Sequence, residues 1–348
     1  MSVQQTSTGK FIDGEEVIAI ELTNTKGTNV KIFNYGAIIN KFMVQNTKGE
    51  VQDIVLGFDT FEQYLDPEYL KDYPYFGAII GRYANRIKNG RLTIDNETYQ
   101  LNQNNGNDTL HGGTIGFDKK VWDIVDFDDS NSSVTLEYES VDGEENFPGN
   151  LVIDLTFELT ENDELILTYE AETDKATAIN LTHHGYFNLS PNGGNIKNHQ
   201  LQIFGSNYLE QDENYCVTGN LLPVAGTALD FTNAKQIGKD WDSNEGYDQT
   251  FVLDKTYGDL TLASKTTESE SGLSLNVYTT EPVAHLYTAK YVDVKNGKGG
   301  KHYKGYDAFC VETQHHPNGI NIPEFPNTIL KPEDLYTQTT IYKVSLTN

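Results

Sequence analysis

LVIDLTFELT (residues 151–160), followed by Glu161-Asn162-Asp163 and then by ELILTYEAE (residues 164–172), alternates apolar and polar side chains from Ile153 onward. A period of two belongs to a strand with one buried face. The intervening Glu-Asn-Asp offers residues that accept a tight bend, so the stretch predicts a β-hairpin. Short segments rich in β-branched and aromatic residues recur on both sides: VIAIEL (17–22), VKIFNYGAII (30–39), SVTLEYESV (133–141), QLQIFG (200–205), LTLAS (260–264), LSLNVYTT (273–280) and FCVETQ (309–314). Helical signal is meagre. The best candidate is TFEQYLDPEYL (60–70), which Pro67 interrupts after less than two turns.

Turn-forming clusters such as NQNNGNDT (102–109), VDGEENFPGN (141–150) and SPNGGN (190–195) separate the segments. No proline- or serine-rich linker divides the chain, and no fixed-period repeat points to a propeller or solenoid. The expectation is an all-β chain: one large antiparallel β-sandwich over residues 1–348, with long loops free to build a site on one face or end.

Twenty-five basic against 51 acidic residues give a formal charge of −26, a field that repels nucleic acid and anionic membranes. The three arginines, Arg82, Arg86 and Arg91, stand close together and supply the means for one local cationic site. The N-terminal MSVQQTSTGKFIDGEE has no apolar targeting core, and no run reaches the roughly 18 apolar residues of a membrane span. Cys216 and Cys310 are too few for a disulfide framework. A cytoplasmic protein, monomer or homodimer, is expected.

Histidines gather where apolar runs end: His111 in NGNDTLHGG, His183 and His184 in INLTHHGYFNL, and His315 and His316 after Glu312 in FCVETQHHPNGIN. Alternation along a strand places Thr182, His184 and Tyr186 on one face and Leu181, His183 and Gly185 on the other, so one histidine of the pair can face a given pocket. Glu312 follows Phe309, Cys310 and Val311, neighbours that would desolvate its carboxylate and favour its use as a base. Each residue taken alone has an ordinary structural explanation, as a satisfied strand-end histidine or a paired acid.

Metal binding competes as a reading, since His183, His184, His315, His316 and Glu312 are ligand types. The spacing argues against it, because there is no H-E-x-x-H or H-x-H and strand neighbours diverge. Serine-hydrolase, phosphate-loop and dinucleotide motifs are also missing. An aromatic-rich chain with scattered Asn, Asp and His suits a sugar, whose hydroxyls need polar partners and whose apolar face needs a ring.

Taken in order, VLGFDTFEQYL (55–65), FGAIIGRYANRI (76–87), NGNDTLHGGTIGFDKKVW (105–122), INLTHHGYFNL (179–189), GYDQTFVL (246–253), VYTTEPVAHLYTAKY (277–291) and CVETQHHPNGIN (310–321) resemble the aldose 1-epimerase, or galactose mutarotase, family over nearly the whole chain. The resemblance implies a large β-sandwich and a reaction that interconverts the α and β anomers of free hexoses, with neither cofactor nor metal. It implies His184 as the acid and Glu312 as the base. Asn85, Arg86, His111, Tyr186 and Asp248 match sugar-holding positions. His285 stands where the family often has Gln, leaving the sugar preference open. A hexose-6-phosphate epimerase and a silent sugar-binding or sensor protein are the rival readings.

Overall fold

A computed structural model describes residues 1–242 and 245–347. The sequence-level unit of 1–348 thus includes positions 243, 244 and 348, which lie outside the described residues. The hairpin expected at 151–172 is present: strands Leu151–Leu159 and Glu164–Thr173 pair antiparallel from Leu151 opposite Thr173 to Leu159 opposite Leu165. Its inward residues, Leu151, Ile153, Leu155, Phe157, Leu159, Leu165, Leu167 and Tyr169, are fully buried, as the alternation requires.

This hairpin lies within a nine-stranded antiparallel sheet. The last strand, Tyr336–Leu346, inserts between Glu164–Thr173 and Leu273–Thr279, so the end of the chain completes the middle of that sheet. A five-stranded meander covers Ser2–Ile12 to Val51–Asp53. Its Ile20, Leu22, Val30 and Phe42 share one apolar cluster with Ile153, Leu155, Leu275 and Val277 of the large sheet. At about 25 cal/mol per Å² of apolar area, this shared core is the main source of stability.

Two segments differ from their sequence reading. VKIFNYGAII is two strands, Asn29–Phe33 and Ile38–Gln45, because the chain turns at Gly36 and Ala37 with φ of 63° and 45°. A Cβ on Gly36 would stand 2.4 Å from the Asp118 carbonyl oxygen, so the turn requires glycine. In TFEQYLDPEYL, Pro67 starts rather than merely ends helical structure. A 3₁₀ turn covers Phe61–Leu65, Asp66 caps the following turn by accepting from the Glu68 N–H at 2.8 Å, and Pro67 occupies the first position of Pro67–Lys71.

A second five-stranded sheet runs in the order Val217–Pro223, Asn207–Gln211, Asp248–Val252, Val283–Tyr287, Cys310–Gln314. Its last three strands have one apolar face: Phe251, Ala284, Leu286 and Val311 join the main core. The opposite face therefore carries Asp248, Thr250, His285, Tyr287, Cys310 and Glu312.

Candidate active site

Strand register lays these side chains out in two rows. Thr250 lies opposite His285, and His285 opposite Glu312. Two residues along, Asp248 lies opposite Tyr287, and Tyr287 opposite Cys310. Directly opposed residues on one face of a sheet are near neighbours, so three strands form a polar floor over an apolar underside.

The wall facing this floor comes from INLTHHGYFNL. A regular strand there covers only Thr182–His183, yet alternation holds beyond it. His183 points away: its Nδ1 hydrogen-bonds the Tyr342 hydroxyl at 3.0 Å, and its ring packs edge-on to Phe187. His184 points inward, sandwiched between Tyr75 (ring centroids 5.8 Å apart, 18° between planes) and Tyr186 (5.0 Å, 15°). His184 Nε2 lies 3.6 Å from Glu312 Oε1, and Nδ1 lies 3.7 Å from Cys310 Sγ. Glu312 is 2 % exposed, and its Oε2 is buried with no hydrogen-bond partner in the described protein.

Asn85, Arg86 and His111 form a further side of the cavity. Asn85, at φ 60°, donates its backbone N–H to His111 Nδ1 at 3.2 Å and accepts the His111 N–H on its carbonyl at 3.0 Å, a reciprocal clasp. Arg86 donates from Nε to Asn105 Oδ1 at 3.2 Å, and its guanidinium lies over the Tyr215 ring at 5.4 Å. Of the other arginines, Arg82 is sealed in the interior. Its two terminal nitrogens donate to the carbonyls of Pro148, Gly149, Ser140 and Val141 and to the hydroxyls of Thr177 and Ser140. Arg91 is exposed on its strand. The arginine cluster of the sequence thus delivers one guanidinium to the site.

All eight site residues expected from the sequence, Asn85, Arg86, His111, His184, Tyr186, Asp248, His285 and Glu312, border a single cavity of about 300 Å³. Tyr73, Tyr75, Tyr287 and Tyr291 also line it and were not singled out at the sequence level. The aromatic run Tyr73-Pro74-Tyr75-Phe76 was the signal available for the first two. His315 and His316 are elsewhere: His315 bridges Glu281 and the Tyr257 hydroxyl, and His316 packs on Phe325 at 4.3 Å between centroids.

The titrating groups are tuned in opposite senses. Burial lowers His184 below the ordinary histidine value, with the Glu312 charge partly opposing it. Burial also drives His111 well below that value, aided by the nearby His184. Burial works against charge on His285 too. There, however, the hydrogen bond to Asp248 and the charges of Glu312 and Asp248 prevail, and its pKa is raised. Burial pushes Asp248 upward, but its bond to His285 and the nearby cations leave it lowered.

His111, His184 and Glu312 are the described residues that could meet a metal ion, each bringing a ligand-type atom within 4.8 Å of the others. This set differs from the sequence neighbours weighed as ligands, since the fold brings His111 in and takes His315 and His316 away. Donors on a tetrahedral zinc stand only about 3.3 Å apart. His111 Nδ1 already accepts a backbone N–H, which leaves the proton of the neutral ring on Nε2. The arrangement suits proton exchange better than ligation.

The profile of the aldose 1-epimerase family matches residues 19–343. The chain is 36% identical to galactose mutarotase of Rattus norvegicus over 350 residues, covering 99% of each chain. It is 34% identical to aldose 1-epimerase of Escherichia coli K12 over 339 residues, covering 95% of this chain and 96% of the other. The solved structure of an aldose epimerase homologue from C. elegans superposes with a TM-score of 0.87 at 33% identity, over 95% of this chain and 99% of that one. With the profile match over residues 19–343 and these likenesses over nearly the whole chain, this chain belongs to the aldose 1-epimerase family.

Proposed function

We propose that this chain interconverts the α and β anomers of a free aldohexose such as D-galactose or D-glucose, with Glu312 as base and His184 as acid. Glu312 takes the proton of the C1 hydroxyl as His184 gives one to the ring oxygen. The C1 to ring-oxygen bond breaks, and an open-chain aldehyde forms. Rotation about C1–C2 and reclosure with the roles reversed yield the other anomer. The chain gains and loses nothing overall, because each proton given is returned.

The observation that carries this reading is the 3.6 Å approach of His184 Nε2 to Glu312 Oε1 inside the cavity. The two oxygens that exchange protons sit on one carbon, so their acid and base must stand close together. Burial lowers His184, and the charge of Glu312, 3.6 Å away, partly restores its hold on a proton. Asn85, Arg86, His111, Tyr186, Asp248 and His285 hold the sugar directly or through one another.

The 348 residues act as one catalytic unit, monomer or homodimer, in the cytoplasm. Two buried free cysteines, Cys216 and Cys310, suit a reducing compartment, and among the described residues no helix is long and apolar enough to cross a membrane. Polarimetry of freshly dissolved α-D-galactose and α-D-glucose tests the activity. Acceleration by wild type that is lost in Glu312→Gln and His184→Ala supports it. Acceleration of phosphorylated hexoses alone selects the hexose-6-phosphate reading, and tight sugar binding without acceleration selects a sugar sensor.

A further inference from the structure

His285 has no nitrogen to spare for a sugar. Its Nδ1 lies 2.8 Å from the Thr250 hydroxyl and its Nε2 3.0 Å from Asp248 Oδ1, while the ring is 4% exposed. Asp248 can only accept, so Nε2 carries a proton, and the Thr250 hydroxyl can take either role towards Nδ1, so the site accommodates a ring protonated on both nitrogens. The next strand places Glu312 directly opposite His285. Two carboxylates, Asp248 and Glu312, therefore stand beside His285 in one cavity with Arg86 and two histidines, His184 and His111, that burial biases towards neutrality, while a third carboxylate, Asp72, lies exposed on the lining.

Unbalanced like charges held close together with little access to water are costly, and a single guanidinium offsets one of the two beside His285. We propose that His285 is a positioning residue: held as a cation between Thr250 and Asp248, it fixes the Asp248 carboxylate in the cavity and balances the negative charge that Asp248 and Glu312 bring together. The groups that face it are Asp248 and Thr250 from one neighbouring strand, Glu312 from the other, and Arg86, His184 and His111 from across the cavity. Of these, Asp248 and Glu312 favour the cation, and Arg86, His184 and His111 oppose it. The direct hydrogen bond to Asp248 decides the balance. His285 thus acts on the sugar through Asp248 and on the chemistry through the charge state of Glu312, so this inference rests on Glu312 being the base.

Two measurements test it. Long-range ¹H–¹⁵N spectra, with the His285 signals assigned by their loss in His285→Gln, are expected to show both ring nitrogens protonated at about pH 7. A neutral His285 ring there overturns the proposal whatever the activity. Kinetically, His285→Gln keeps an N–H for Asp248 but removes the charge, and His285→Ala removes both. The acid limb of kcat/KM is expected to move up by about one pH unit in both variants. KM is expected to rise about tenfold in His285→Ala and to be largely restored in His285→Gln. An acid limb unchanged in both variants overturns the proposal. A wild type that accelerates no aldose refutes the epimerase reading instead, and the spectra still decide the charge on His285.

Discussion

His184 meets Glu312 across the floor of the cavity, Nε2 to Oε1 at 3.6 Å, with the imidazole clamped between Tyr75 and Tyr186 and the second Glu312 oxygen buried without a hydrogen-bond partner among the described residues. The stacked rings remove rotational freedom from His184 before substrate arrives. Such preorganisation is what lets an acid and a base act on two atoms bonded to one carbon in one step. Four expectations follow from this and from the surrounding packing.

Glu312→Gln retains the shape of the side chain and removes its basicity. The expected loss is about 10³-fold in kcat, the middle of the range for a general base, with KM little changed because Asp248 and Arg86 are untouched. Polarimetric progress curves measure both. A variant within a few-fold of wild type would take the base role away from Glu312.

The pair holding one proton is the active form, so kcat/KM should be bell-shaped in pH. A second proton on the pair closes the acid side, and loss of the last closes the basic side. Burial lowers His184 and the Glu312 charge only partly opposes it, so the basic side of the bell is expected on the low side of the ordinary histidine value. A flat profile from about pH 5 to about pH 9 is the result that would rule this out.

Arg82 and Arg86 should separate cleanly. Arg82→Met leaves buried carbonyls of Pro148, Gly149 and Ser140 without their donor and is expected to cost about 3 kcal/mol of stability, with activity per folded molecule retained. Arg86→Met is expected to raise KM about tenfold with the denaturation midpoint unmoved. Urea titrations alongside kinetics read both, and the reverse pattern would exchange their roles.

Acid should destabilise the fold through histidines outside the cavity floor. Burial lowers His183 to about 3, His199 to about 4 and His316 to about 4, from the ordinary histidine value of 6.5. Unfolding lets each take up a proton below 6.5, so the stability they hold is complete above that pH and declines towards pH 3 to 4. Each contributes a slope of about 1.4 kcal/mol per pH unit within its window. The urea midpoint should fall steeply below pH 6.5, and His183→Asn should make that fall shallower.

Much of this architecture is legible in the sequence. Alternation located the Leu151–Thr173 hairpin and separated inward His184 from outward His183, a separation that His183's contact with Tyr342 matches. Alternation did not find the break in VKIFNYGAII. That break depends on a close approach between Gly36 and the Asp118 carbonyl, made by a distant part of the chain. Nor did it distinguish Arg82 from Arg86, whose fates diverge because one backbone loop folds over the first and not the second.

The sequence by itself determined which side chains each strand offers to its two faces, because side-chain direction follows from backbone geometry one residue at a time. It also ordered the segments well enough to identify a family. The tertiary structure alone decided that Thr250, His285 and Glu312 stand in one row, that Cys310 and two tyrosines surround His184, and that His285 rather than His184 has the raised proton affinity. Proton affinity depends on desolvation and on charges delivered by strands remote in sequence, and those terms have no value until the sheets have closed around the cavity.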